Sequence, residues 1–132
     1  ATVGSAGLDL TAAIPSPSSI PSGARALIPT GIAVALEPGT VGLVFARSGL
    51  ATRHGIALSN GVGVIDSDYR GEVRVGLVNL SEEAYVIEPG ERIAQLVVVQ
   101  ICTPVPVEVN ELPETGRGAG GFGSTGRMGN GR

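Results

Sequence analysis

The segment Asn60-Gly61-Val62-Gly63-Val64-Ile65-Asp66-Ser67-Asp68-Tyr69-Arg70-Gly71-Glu72 joins an apolar, glycine-bounded hairpin to two carboxylates and an aromatic ring. A carboxylate held on a rigid hairpin can polarise a water molecule, and a neighbouring ring offers a flat surface to a ligand. The glycines permit tight turns and close backbone approach, while Val62, Val64 and Ile65 can anchor the loop in a core. Asp66 and Asp68 are two of the three aspartates in the chain, and the third, Asp9, lies in another short segment, Ala6-Gly7-Leu8-Asp9-Leu10. Solvation alone would scatter acidic residues more widely. The plainer alternative makes Asp66 and Asp68 ordinary turn residues.

All nine basic residues are Arg. Planar guanidinium forks suit phosphate oxygens, and Arg47-Ser48-Gly49, Tyr69-Arg70-Gly71 and Arg117-Gly118 set them beside glycines or hydroxyls. Compositional bias is the alternative, and it is the better account of Arg53, Arg74 and Arg132. From about Pro113 the chain is too rich in glycine and too poor in aliphatic side chains to form a core. The glycine spacing from Gly118 to Gly123 resembles a phosphate loop, but no Lys, preceding strand or following helix accompanies it, which argues against a P-loop nucleotide hydrolase. Its backbone amides can still cradle phosphate, with Arg117 adding charge and Phe122 offering a face to a base. Base plus phosphates means nucleotide. A linker, or an Arg-Gly segment for nucleic acid, is the alternative for this tail taken alone.

A β framework must position these groups. Strand-like segments recur between turn signals at 7–10, 26–28, 32–36, 41–46, 56–59, 73–80, 85–87, 93–101 and 105–109, which reads as an all-β sandwich or jelly roll. One short helix is expected over Ser48 to His54, capped by Ser48 and ended by Gly55. With 132 residues, 42% of them hydrophobic, the chain suits one domain, residues 1–112, followed by a flexible Gly-rich arm, residues 113–132. Phe45, Tyr85 and the lone Cys102 read as core residues. The run Leu96-Val97-Val98-Val99 is apolar on both faces, which predicts burial between subunits and therefore an oligomer.

A net charge of −3 argues against electrostatic binding to nucleic acid or an anionic membrane. No apolar run approaches the roughly 20 residues of a membrane span, so a soluble, cytoplasmic protein is expected. The chain opens at Ala1 inside a region of strand character, which leaves an upstream strand or leader as an open alternative. His54 has no triad partners nearby and is read as structural or solvent-facing, and Arg92 as structural.

Taken in order, Ala6 to Leu10, Arg47-Ser48-Gly49-Leu50-Ala51, Gly63 to Gly71, Gly90-Glu91-Arg92-Ile93-Ala94-Gln95-Leu96 and Arg117 to Gly126 resemble the five motifs of the trimeric deoxyuridine triphosphatases, the dUTPases. The resemblance covers nearly the whole chain, although family members usually carry one more strand before the first motif. It implies a jelly-roll homotrimer whose three sites combine motifs of neighbouring subunits. The implied reaction is Mg²⁺-dependent hydrolysis of dUTP to dUMP and pyrophosphate, which limits uracil incorporation into DNA and supplies dUMP for thymidylate synthesis.

Carried over by position, Asp66 becomes the base or orienter of the attacking water, and Gln95 helps hold that water. Arg47, Ser48, Gly49, Arg117, Gly123, Ser124 and Thr125 match triphosphate contacts. Asn60, Gly63, Val64 and Ile65 match the segment that reads uracil, Tyr69 packs on deoxyribose, and Phe122 stacks on the base as the arm closes. Mg²⁺ is held by the phosphates, with Asp9 reaching it through water or serving instead as a structural acceptor. The rivals are a dCTP deaminase, which shares this fold but matches the second and last motifs less well, a nucleotide-responsive regulator, and a nucleic-acid binder using the tail.

Overall fold

A computed structural model describes residues 2–121. Among them are nine strands and one helix: β1 (Leu8–Thr11), β2 (Ser18–Ile20), β3 (Arg25–Pro29), β4 (Thr40–Ala46), α1 (Ser48–His54), β5 (Ile56–Leu58), β6 (Gly63–Ile65), β7 (Arg74–Asn79), β8 (Tyr85–Ile87) and β9 (Arg92–Gln100). Three antiparallel sheets, ordered β1-β9-β4-β6, β3-β7-β5 and β2-β8, enclose one core in an all-β, jelly-roll-like sandwich. Period-two patterning drives this arrangement. In β7, Val75, Leu77 and Asn79 point inward, and they meet Leu10, Ile20, Ile56, Ile87, Ile93 and Leu96 from the other strands. Gly42 in β4 is required by packing, because a Cβ there would lie 3.0 Å from Leu96 Cδ1 and 3.2 Å from Leu36 Cδ1.

Asn79 is fully buried yet satisfied on every side. Its Nδ2 donates to the Ile20 and Glu83 carbonyls at 2.8 and 2.7 Å, and its Oδ1 accepts from the Ser81 amide and hydroxyl at 2.9 and 2.7 Å. One side chain thereby ties β2, β7 and the turn before β8. Asn79→Ala removes all four bonds, leaving only the Ser81 hydroxyl's bond to the Glu83 carbonyl at 2.9 Å, and is expected to lower stability by about 3 kcal/mol. Urea unfolding checks this through the midpoint at unchanged slope.

Several sequence expectations are corrected. Residues 32–36, of which 33–36 alternate in exposure, form no ladder; the contact to this segment is the Val73 amide donating to the Ile32 carbonyl at 2.8 Å, while Val34 and Leu36 pack their side chains on the core. Residues 105–109 pair with no strand among the described residues, and Pro106 removes one donor from the segment, with Pro104 just before it. The strands β2 and β6 are too short and too rich in Ser or Gly to stand out as strand patterns. Cys102 is exposed rather than core, because β9 ends at Gln100 and the chain leaves the sheet after the Ile101 amide bonds the Gly39 carbonyl. Phe45 and Tyr85 are half-buried, Tyr85 at the edge of the core.

The helix has the expected span, but Arg47 occupies the N-cap position with an extended backbone and no side-chain cap, so Ser48 is its first helical residue. Gly55 ends it as expected, at φ 68° with its N–H on the Ala51 carbonyl. His54 is exposed, and its ring packs against Tyr85 with centroids 4.9 Å apart. The Tyr85 hydroxyl donates to Glu91 Oε1 at 2.7 Å; burial, reinforced by the bond to Glu91 and its charge, pushes this phenol up to about 12. It stays a donor throughout the neutral range. No helix among the described residues is long and apolar enough to cross a membrane.

Candidate active site

The Asn60–Glu72 segment is a rigid support, as its composition requires. Gly61 takes φ 74°, its amide bonds the Leu58 carbonyl at 3.2 Å, and β6 then pairs with β4 through Gly63↔Val44, Val64↔Leu43 and Ile65↔Gly42. Ile65 is driven into the core, so the next residue, Asp66, emerges at the sheet end with its side chain exposed. Its carboxylate has no hydrogen bond or ion pair among the described residues. The loop then folds back on itself: the Tyr69 amide donates to the Asp66 carbonyl at 3.1 Å, and Tyr69 Oη donates to the Glu72 carbonyl at 3.0 Å. Arg70 Nη1 donates to the Ser67 and Tyr69 carbonyls at 2.7 and 2.9 Å, so this guanidinium staples the loop.

A cleft of about 220 Å³ opens along the hairpin. Asn60, Gly63, Val64, Ile65, Asp66 and Tyr69 line it as the sequence suggested, with Glu72 added from the loop before β7 and Arg74 from its first residue. Glu72 was missed because its chemistry is spent on the frame: its Oε1 accepts from the Gly31 amide at 2.9 Å. Arg74, set aside as a surface residue, lines this cleft with half of its side chain exposed, 4.0 Å from Glu72.

A second group forms on the face of the β1-β9-β4-β6 sheet that points away from the core. The register sets Asp9, Gln95 and Phe45 side by side across β1, β9 and β4, and the next row is Val97, Leu43 and Val64. Directly paired residues project to the same face, so a polar row borders an apolar one. Gln95 Nε2 donates to the Ala46 carbonyl at 3.2 Å, and its Oε1 lies over Gly7, where a Cβ would come within 3.2 Å. Asp9 bridges two cations, Arg47 Nε at 3.4 Å and Arg92 Nη1 at 3.3 Å, while Arg47 Nη1 donates to the Arg92 carbonyl at 3.2 Å. This arrangement ties Asp9 to both guanidinium groups, and it brings Arg92, read as structural, beside Gln95. A shallow depression of about 520 Å³ over Gly7, Asp9, Arg92 and Gln95 completes the group. It shares no lining residue with the hairpin cleft.

Ser48 and Gly49 are exposed at the start of α1, next to Arg47. Arg117 is exposed in a turn closed by the Gly118 and Gly120 amides, and it lines neither cleft. Phe122, Gly123, Ser124 and Thr125 lie outside the described residues. No cluster of three or more His, Cys, Asp or Glu occurs among the described residues.

The dUTPase family model matches residues 1–126, a span that contains both groups and the start of the arm. The chain belongs to the dUTPase family. It is 53% identical over 125 residues to the deoxyuridine 5'-triphosphate nucleotidohydrolase of Rhizobium etli, covering 93% of this chain and 80% of that protein. Its fold is similar to that of the dUTPase of Staphylococcus bacteriophage 80alpha, solved with dUpNHpp, at a TM-score of 0.89 and 30% identity over 96% of this chain and 89% of the phage chain. A mutant dUTPase from phage phi11 of S. aureus, whose structure concerns the coordination of a structural Mg(II) ion, aligns at a TM-score of 0.75 and 26% identity over 83% and 86% of the two chains. Within the dUTPase match, the hairpin cleft holds the third motif, while the Asp9–Arg47–Gln95 group holds the first, second and fourth.

Proposed function

We propose that this chain hydrolyses dUTP to dUMP and pyrophosphate, and that Asp66 is its base. The observation that carries the reading is a carboxylate with no hydrogen bond or ion pair among the described residues, at the lip of a cleft floored by the hairpin and the Tyr69 ring. Water hydrogen-bonded to Asp66 attacks the α-phosphorus; the carboxylate takes the proton as the bond to the bridging oxygen breaks, and pyrophosphate leaves. Asn60 and the backbone of Gly63 to Ile65 read the uracil edge, and Tyr69 packs on the deoxyribose, where a ribose 2′-hydroxyl would not fit. Gln95 holds the water. Arg47, Ser48 and Gly49 take phosphate oxygens, and the arm adds Arg117, Gly123, Ser124 and Thr125 while Phe122 covers the base.

The carboxylates form no protein cage for a cation among the described residues, an arrangement compatible with Mg²⁺, which keeps several waters and takes phosphate oxygens as ligands. Asp9 would hold such an ion through water, and when bound the ion would neutralise charge on the phosphates. Because the two groups share no lining residue, we propose a homotrimer in which each site takes the hairpin from one subunit and the Asp9–Arg47–Gln95 group from another. The apolar row Val97–Leu43–Val64 beside Gln95 is the surface such packing would cover. Residues 1–112 form the nucleotide-binding body in this reading, and residues 113–132 the closing arm. The enzyme acts on the cytoplasmic nucleotide pool.

Product analysis after incubation with Mg²⁺ and, separately, dUTP, dCTP, dTTP and UTP tests the proposal. The expected result is conversion of dUTP alone, to dUMP and pyrophosphate. Ammonia from dCTP would make the chain a deaminase, and no turnover of dUTP would remove the catalytic reading.

A further inference from the structure

We propose that Gly71 fixes the discrimination between deoxyribose and ribose by leaving room for the Tyr69 ring, an inference that rests on the sugar-packing reading of Tyr69. The φ of Gly71 lies outside the left-handed region, so its backbone would accept an L side chain. Space is what forbids one. A Cβ on Gly71 would overlap the Tyr69 hydroxyl and lie 2.6 Å from Cζ and 3.0 Å from Cε2. The obstacle is a stiff ring rather than the end of a flexible chain, so the overlap cannot be relieved by a small torsion.

The backbone around Gly71 is pinned on both sides. Upstream, the Tyr69 amide is bonded to the Asp66 carbonyl; downstream, Glu72 holds the Gly31 amide, and buried Val73 donates its amide to Ile32. Tyr69, by contrast, is 45% exposed and is tied at its tip by one bond, to the Glu72 carbonyl. The ring is therefore the part that yields, and it swings from the cleft towards solvent. Gly71 acts as a positioning residue, touching no substrate itself.

The test compares kcat/KM for dUTP and UTP in Gly71→Ala, Tyr69→Ala and the double variant. Gly71→Ala is expected to lower the dUTP/UTP ratio by about tenfold or more, the size of effect that loss of a packed pocket surface has on discrimination. Added to Tyr69→Ala, the same substitution should change the ratio by less than about twofold, because no ring remains to displace. A ratio unchanged in Gly71→Ala, an equal loss for both substrates, or the same fall without the ring would each overturn the proposal.

Ring position is read separately. The chain has no Trp and two Tyr, so Tyr85→Phe leaves Tyr69 as the sole emitter. Acrylamide should quench it more strongly once Gly71→Ala is added. Unchanged quenching would refute the positioning role. Stronger quenching with an unchanged ratio would overturn the specificity role and place the fault in the sugar-packing reading of Tyr69.

Discussion

Asp66→Asn is expected to bind a non-hydrolysable dUTP analogue within a few-fold of the parent protein and to lose about two to four orders of magnitude in kcat. The substitution keeps the shape and the backbone, including the Asp66 carbonyl that accepts from Tyr69. It breaks no side-chain contact, because the carboxylate makes none among the described residues. What it removes is the ability to accept a proton from water at neutral pH, so the loss should fall on turnover and leave folding and ground-state affinity in place. Rapid-quench turnover of dUTP, alongside titration with the analogue, separates the two quantities. Near-normal turnover would exclude Asp66 as the base and turn attention to Asp68, two residues further along the same exposed turn.

The elements that support Asp66 were legible where one strand carries its own signal. Alternation in β7, the apolar run of β9 and the Ser48–Gly55 helix signal all appear in the sequence because they depend on side-chain period and local turn chemistry. Residues 33–36 also alternate but form no ladder, since alternation reports which side chains are buried and not whether a partner strand lies alongside. Within the site, Val44, Leu58 and Arg74 come to the hairpin cleft from other strands, while the polar and aromatic residues Asn60, Asp66 and Tyr69 that line it were visible in one contiguous segment. The Asp9–Arg47–Arg92 bridge was not, because Asp9 and Arg92 stand 83 residues apart and become neighbours only through the β1–β9 register. Arg70 shows the converse. Its sequence neighbours suited phosphate, whereas the loop curls so tightly that its guanidinium is bonded to its own backbone.

Mixing two inactive variants should restore activity. Asp66→Asn disables the hairpin cleft, and Gln95→Ala disables the Asp9–Arg47–Gln95 group. If each site draws one group from each of two subunits, co-refolding equal amounts of the variants assembles some sites whose hairpin comes from the Gln95→Ala chain and whose Gln95 comes from the Asp66→Asn chain. Random assortment makes about one site in four intact, so activity should rise from about a hundredth of the parent value or less to roughly a quarter of it. The physical basis is register: Gln95 is aligned with Asp9 and Phe45, while Ile65, immediately before Asp66, is aligned with Gly42, so one protomer displays the two groups apart. The apolar row of Val97, Leu43 and Val64 between them is what a second subunit would cover on approach. Refolded mixtures no more active than either variant alone would place the whole site within one protomer, and the apolar row would then need another explanation.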